Sequence, residues 1–349
     1  MLRVGIIGLG KMGMLHFMNS LLIDHVQVAA VADNSKKALN RARLLGVERL
    51  FTDYRELLNE CQNLDAVVIS LPNFLHFSCI QLALESGINV FVEKPLAITS
   101  KECLEIVKKV NDSGKRLMVG HCMRFMDAVK KMKDAVNSGQ IGGLEVVNIE
   151  EVMNGPFAHG ELPTPVADWW FNPSKSGGGV LLDLGYHLID LFRFFVGDSK
   201  VIFSSIDYKF NLPVEDSAIL ILQSLKSPVK GIINVGWYQQ VIFPKFNFRL
   251  TLHGRAGYLS SDDFIPRNIQ FHAAKEGLKN FLRKILGRKI HPLSYTYFYE
   301  QHYNELRHFF DCLEQDIEPS VSAVDGLKTI ELIEEAYKRR SMDEQLQVG

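Results

Sequence analysis

The chain has 349 residues, 47% hydrophobic and 23% charged, which are the proportions of a folded globular protein of two or three domains and exclude a disordered or fibrous chain. With 39 lysines and arginines against 40 aspartates and glutamates the net charge is -1, which argues against general nucleic-acid binding and leaves phosphate recognition to local features. Cys61, Cys79, Cys103, Cys122 and Cys312 form no C-x-x-C pair, so a reducing compartment is expected, without a disulfide framework or a cysteine-bound metal.

No leader-like segment and no membrane span are expected, and the cytoplasm is the expected location. From the start to about residue 120, short apolar runs alternate with amphipathic segments, the rhythm of a doubly wound parallel sheet covered by helices. Strands are expected at Leu2 to Ile7, Val26 to Ala32, Ala66 to Ser70, Asn89 to Val92 and Leu117 to Val119. Helices are expected at Met12 to Leu22, Ser35 to Leu45, Phe74 to Ser86 and Ser100 to Asp112, with Gly87 and Gly114 as stops.

Beyond Gly120 the strand-like stretches lengthen: Leu144 to Val152, Val201 to Phe210, Ser217 to Leu225, Val229 to Gln240 and Lys245 to His253. Consecutive strands without helices between them predict an α+β domain with an open, largely antiparallel sheet. One helix, Val180 to Phe195, follows Gly177-Gly178-Gly179 and repeats leucines at helical spacing. Tyr303 to Cys312 and Val324 to Arg340 also read as helices. Lys275 to Lys289 is basic, with Glu276 its one acid; it reads as a solvated helix face or as a site for an anionic partner, a nucleotide diphosphate or a phospholipid surface.

Gly8-x-Gly10-x-x-Gly13 follows the first strand and opens the first helix. The first glycine permits a tight turn, the second lets backbone approach a pyrophosphate, and the third lets helix and strand pack closely. Asp33, at the end of the second strand, suits the ribose hydroxyls of NAD and would repel a 2′-phosphate; Lys36 and Lys37 keep NADP open. Leu71-Pro72-Asn73-x-x-His76 and Glu93-Lys94-Pro95 fall at carboxyl ends of parallel strands, where open α/β sheets bind ligands. Lys94 is a solvated loop residue or, restricted by Pro95, is aimed into a cleft. His76 has the alternative of being a plain residue of the following helix.

Asp183, His187 and Asp190 share one face of the apolar helix by their spacing. Burying them unpaired would cost about 1 to 3 kcal/mol each, so they form a structural network, bind a metal or handle protons. No further histidine sits at helical spacing, and no metal is expected.

Together these residues resemble the glucose-fructose oxidoreductase / inositol dehydrogenase (Gfo/Idh/MocA) family over almost the whole chain. The motifs are Gly8 to Gly13, with Lys11 and Met12 inside it, Pro72-Asn73-x-x-His76, Glu93-Lys94-Pro95, Gly120-His121-x-x-Arg124, Ser176 to Asp190, and Ser322-x-x-Asp325-Gly326. The resemblance implies a Rossmann domain over 1–121, with the C-terminal helices of 303–349 packed on it, and a substrate-binding and oligomerisation domain over 122–302. It implies a site built from both halves: Lys94, Asp183 and His187 catalytic, Asn73 and Glu93 by the nicotinamide ribose, His121 and Arg124 by the substrate. Trp169-Trp170 stands where members often carry Trp-Arg; the pair stacks on the nicotinamide or a sugar face, or is a structural cluster. The expected activity is NAD(P)-dependent oxidation of a secondary alcohol of a sugar, polyol or sugar derivative by a homodimer or homotetramer. Two further readings from the family are an NAD-dependent glycosidase with transient oxidation and a cofactor-sensing regulator without turnover.

Overall fold

The alternating apolar and amphipathic segments of the N-terminal part form a six-stranded parallel sheet of order β3-β2-β1-β4-β5-β6. The structure, a computed structural model, describes residues 1–153, 155, 166–237, 247–265, 269–288, 290 and 300–347. The chain divides into two compact units, one of Met1–Ala97, Lys101–Met126 and Pro266–Gly326, the other of Ile98–Ser100, Asp127–Ile265 and Leu327–Gly349.

In chain order the first part runs β1 (Leu2–Ile7), α1 (Lys11–Ser20), β2 (Val26–Ala32), α2 (Lys36–Leu44), β3 (Arg49–Phe51), α3 (Tyr54–Glu60), β4 (Ala66–Ile69), α4 (Asn73–Glu85), β5 (Asn89–Glu93), α5 (Ser100–Ser113) and β6 (Leu117–Gly120). The central strands read as continuous apolar runs because both faces are covered: every residue of β4 is buried. β3 and α3 were not among the elements expected from the sequence. A three-residue strand is too short to show a period, and Asp53, whose carboxylate accepts the Arg55 N–H at 2.8 Å, starts the helix after it. The order 3-2-1-4-5-6 puts a reversal of strand order between β1 and β4, the crevice where such sheets bind ligands at their carboxyl ends.

The rest continues with α6 (Asp127–Asn137), β7 (Leu144–Met153), α7 (Pro173–Ser176), a π-helical turn (Leu181–Gly185), α8 (Tyr186–Val196), β8 (Ser199–Asp207), β9 (Ser217–Ser224), β10 (Lys230–Trp237), β11 (Asn247–Gly254), β12 (Gly257–Ser260), α9 (Ile269–Ile285), α10 (Glu300–Glu314) and α11 (Ala323–Gln347). The second sheet has the order β12-β11-β7-β10-β9-β8, with β7 and β10 parallel and the other pairs antiparallel. The expected strands at 229–240 and 245–253 extend into 238–246, which lie outside the described residues.

On one face of this sheet α8 packs so closely that a Cβ on Gly231 would stand 2.5 Å from the Phe192 ring. On the other, Phe203 pairs with Ile221 and Ile221 with Ile232, and Phe203, Ile219 and Ile232 stay exposed. Among the described residues no helix is long and apolar enough to cross a membrane.

Candidate active site

The glycine turn is built by steric necessity. Gly8 has φ +87°, where a side chain is strained, and a Cβ there would lie 2.5 Å from the Ser70 carbonyl oxygen. A Cβ on Gly13 would lie 1.9 Å from the Gly8 carbonyl oxygen, so α1 can approach β1 only with glycine at that position. Gly10 is different: a Cβ there meets nothing within 4 Å, which leaves room above the turn.

Gly10 caps α1 without a side-chain acceptor, and no acid occupies the first turn, so the helix presents its N-terminal N–H groups to an incoming anion. Lys11 and Met12 open this helix. Asp33 accepts the Leu9 N–H at 2.5 Å and the Ser35 N–H at 2.7 Å, which fixes its carboxylate beside the turn. These features fit NAD: the turn would hold the pyrophosphate and Asp33 the adenosine ribose.

Two loops at the carboxyl ends of β4 and β5 carry the next motifs. Asn73 begins α4 after Pro72, and the Lys94–Pro95 peptide is cis. His76 ties these loops together. Its ring is fully buried, with Nδ1 2.7 Å from the Pro95 carbonyl oxygen and Nε2 2.9 Å from that of Leu71. Burial lowers its pKa against the opposing pull of both carbonyls. His76, expected among the cofactor contacts, holds its ring between these two loops, where a neutral imidazole donates to one of the two carbonyls at a time.

Glu93 is the meeting point of a buried cluster that sequence spacing did not reveal. Its Oε1 lies 2.5 Å from His16 Nε2, and His302 Nδ1 lies 3.1 Å from Glu305 Oε1. The Glu93 Oε2 accepts the backbone N–H of Lys94 at 3.2 Å. Burial pushes the Glu93 carboxyl up, but the hydrogen bond and charge of His16, with His302 and Lys94, overcome that and hold it at about 2. Glu305 goes the other way: burial and the Glu93 charge raise its pKa well above the usual range. Burial lowers His302.

The four side chains place their ligand atoms within 4.8 Å of one another. Even so, the 2.5 Å between His16 and Glu93 is shorter than the roughly 3.3 Å separating two ligands on a tetrahedral zinc with bonds of about 2.0 Å. As arranged, the group is two hydrogen-bonded pairs, His16 with Glu93 and His302 with Glu305, close enough for their charges to act on one another.

This network makes a pH prediction. A carboxyl whose folded pKa is raised keeps its proton while the unfolded chain releases it, so stability falls as pH climbs from the usual carboxylate range toward the folded value. Glu305→Gln, a neutral isostere, should match the parent in mild acid and exceed it at neutral pH in urea unfolding, with a shallower fall in stability between the two. Equal pH slopes for the two proteins would contradict a protonated Glu305.

Arg124, expected at the substrate, is only 9% exposed, and its Nη2 donates to Asp325 Oδ1 at 3.1 Å. Asp325 Oδ2 accepts both the N–H and the hydroxyl of Ser322 at 2.9 Å, and a Cβ on Gly326 would sit 2.8 Å from Leu96 Cβ. The closing Ser-x-x-Asp-Gly motif is thus a helix cap that also anchors Arg124. His121 is buried beside it at the end of β6.

In the second unit, Asp183 lies in the π-helical turn and His187 in the first turn of α8; both are half-buried, whereas Asp190 is 2% exposed. Gly185 ends the wider turn, and a Cβ there would be 2.7 Å from Leu181 Cδ1. The triple glycine has a partner in space. Glu215 Oε1 accepts the N–H of Gly179 at 2.8 Å, the N–H of Leu181 at 3.1 Å and the Tyr337 hydroxyl at 2.7 Å. Burial raises the Glu215 pKa. Trp169 and Trp170 lie in a 3-10 turn with ring centroids 5.3 Å apart, inclined by 34°.

A parallel sheet of this order, a glycine turn free of acids and a carboxylate at the second strand define a dinucleotide-binding domain suited to NAD. The family model of an oxidoreductase with an NAD-binding Rossmann fold matches residues 2–121, and that of the GFO/IDH/MocA C-terminal domain matches residues 129–260. The chain belongs to the Gfo/Idh/MocA family of oxidoreductases with an NAD-binding Rossmann fold.

The inositol 2-dehydrogenase of Rhizobium meliloti is 26% identical over 354 residues, 99% of this chain and 98% of that protein. The oxidoreductase YrbE of Bacillus subtilis is 30% identical over 194 residues, covering 55% of this chain and 53% of YrbE. In fold, the chain is similar to scyllo-inositol dehydrogenase of Lactobacillus casei with bound NAD(H) and scyllo-inositol, with a TM-score of 0.79 at 20% identity, covering 98% and 97% of the two chains.

Proposed function

We infer that the protein oxidises a secondary alcohol of a cyclic polyol, a sugar or a sugar derivative, nucleotide sugars included. The observation that carries this reading is the presence of Lys94, Asp183 and His187 in a chain with an NAD-binding turn, since a regulator that only sensed the cofactor would need no proton-transfer groups. The names of the inositol dehydrogenases to which the chain is similar support the polyol class.

NAD, when bound, supplies the hydride acceptor. His187 takes the hydroxyl proton as the hydride leaves the same carbon, and Lys94 hydrogen-bonds the same oxygen and stabilises its developing charge. Asp183 holds substrate hydroxyls or the imidazole, and Asp190 orients from behind. Asn73 and Glu93 serve the nicotinamide ribose, with the His16 bond holding the Glu93 carboxylate in its charged form. His121 and Arg124 border the substrate, and Trp169 and Trp170 offer aromatic faces to the nicotinamide or a sugar ring. The exposed Phe203, Ile219 and Ile232 on the open sheet suit a homodimer or homotetramer interface.

A screen of inositols, aldoses and nucleotide sugars, run separately with NAD and NADP, tests the reading. The expected result is reduced cofactor formed from NAD with at least one polyol or sugar, and a weaker response with NADP because Asp33 repels a 2′-phosphate. Bond cleavage without net cofactor reduction would replace it with the glycosidase reading.

A further inference from the structure

Helix α9 is built the wrong way round for a helix that packs its apolar side inward. Phe271, Leu278, Phe281, Leu282 and Ile285, with Leu286 next to its end, fall on one stripe at 100° per residue, and each is between 50% and 72% exposed. The half-buried residues are Ala273, Glu276, Asn280 and Arg283, on the opposite side. In the same unit α10 does the reverse and buries Leu306, Phe309 and Phe310. An outward stripe of this size is the signature of a docking surface rather than of an ordinary solvated face.

The charges around the stripe choose the occupant. Lys275 and Lys279 lie along one edge, Lys284 lies beyond the other, and Arg283 and Arg288 add two more cations, against the single acid Glu276. Lys279 and Arg283 both approach that acid, and Arg283 Nη1 also donates to Asn280 at 2.8 Å. The excess is local in a chain whose net charge is -1. A second copy docking about a two-fold axis would bring this basic segment against an equally basic one, and lysine is depleted from protein interface cores. A bilayer with phosphate headgroups satisfies both features: the stripe enters the acyl boundary and the lysines extend their stems toward the anions.

We propose that α9 is an amphipathic anchor that binds the protein peripherally to anionic phospholipid membranes through its outward apolar stripe and flanking lysines. The test is flotation of the full-length protein with vesicles of equimolar phosphatidylglycerol and phosphatidylcholine, and with vesicles of phosphatidylcholine alone. The protein should rise with the anionic vesicles and stay behind with the neutral ones. Lys279→Gln with Lys284→Gln should lower partitioning roughly tenfold or more, and raised salt should do the same.

Leu278→Glu with Phe281→Glu should abolish flotation while circular dichroism and NAD binding stay at parent levels, since both side chains are exposed. Failure to float with anionic vesicles at low ionic strength overturns the proposal. So does a Leu278→Glu, Phe281→Glu variant that changes the oligomeric mass in light scattering while the parent ignores vesicles; the face would then be a contact between copies. Equal binding to neutral and anionic vesicles overturns the role of the lysines.

Discussion

Lys94→Ala and His187→Asn should each lower kcat on an identified polyol or sugar substrate about 100- to 10,000-fold, the range supplied by a positioned acid–base group or by stabilisation of a developing oxyanion. Lys94 stands at the carboxyl end of β5 with its backbone N–H bonded to Glu93 and its loop held by His76, so its removal deletes one ammonium from an otherwise fixed frame. His187 is half-buried on α8, and asparagine there keeps a polar side chain but cannot accept a proton near neutral pH. NAD affinity, measured by calorimetry, should change far less than kcat, because the glycine turn and Asp33 are untouched. The double variant should be little worse than the poorer single one if the two groups act on one oxygen. Turnover near that of the parent in either folded variant would sink the assignment of roles.

Gly179→Ala should cost about 3 kcal/mol of stability and lower Tm by roughly 5–10 °C. Its Cβ would stand 2.0 Å from the Glu215 carbonyl oxygen and 2.9 Å from the Glu215 nitrogen, and backbone cannot retreat as a flexible side chain can. The displacement would also break the 2.8 Å bond from Gly179 N–H to the buried Glu215 carboxylate, leaving that group short of a donor. Gly10→Ala is the control, since a Cβ there meets nothing within 4 Å and the backbone φ is -60°. It should unfold with the parent in calorimetry yet bind NAD more weakly. Equal melting of Gly179→Ala and the parent would show that the glycine run is not a packing requirement.

These two glycines mark the boundary of what can be read along the chain. Gly8, Gly10 and Gly13 were legible because turn, strand and helix are adjacent in sequence; Gly13 answers to Gly8, Gly8 to Ser70 beyond β4, and Gly10 to the open space above the turn. The run at 177–179 was legible as a motif but not as a mechanism: Glu215 lies 36 residues from Gly179, and Tyr337 lies 122 from Glu215. Likewise Glu93 was legible as part of a motif, whereas its partner His16 lies 77 residues away and nothing in local pattern joins them. Arg124 and Asp325, 201 residues apart, were read as separate motifs and are one ion pair.

Short-range periodicity and backbone sterics were therefore enough to specify the two-part rhythm, the parallel and largely antiparallel sheets and the dinucleotide turn. The sequence also carried the basic segment, though not its orientation. Folding is what places the His76 ring between two loops, pushes Glu305 toward its neutral form beside an ionised Glu93, and turns the apolar side of α9 outward. Those outcomes turn on burial and on charges brought together from distant parts of the chain, and neither quantity exists until the chain is folded.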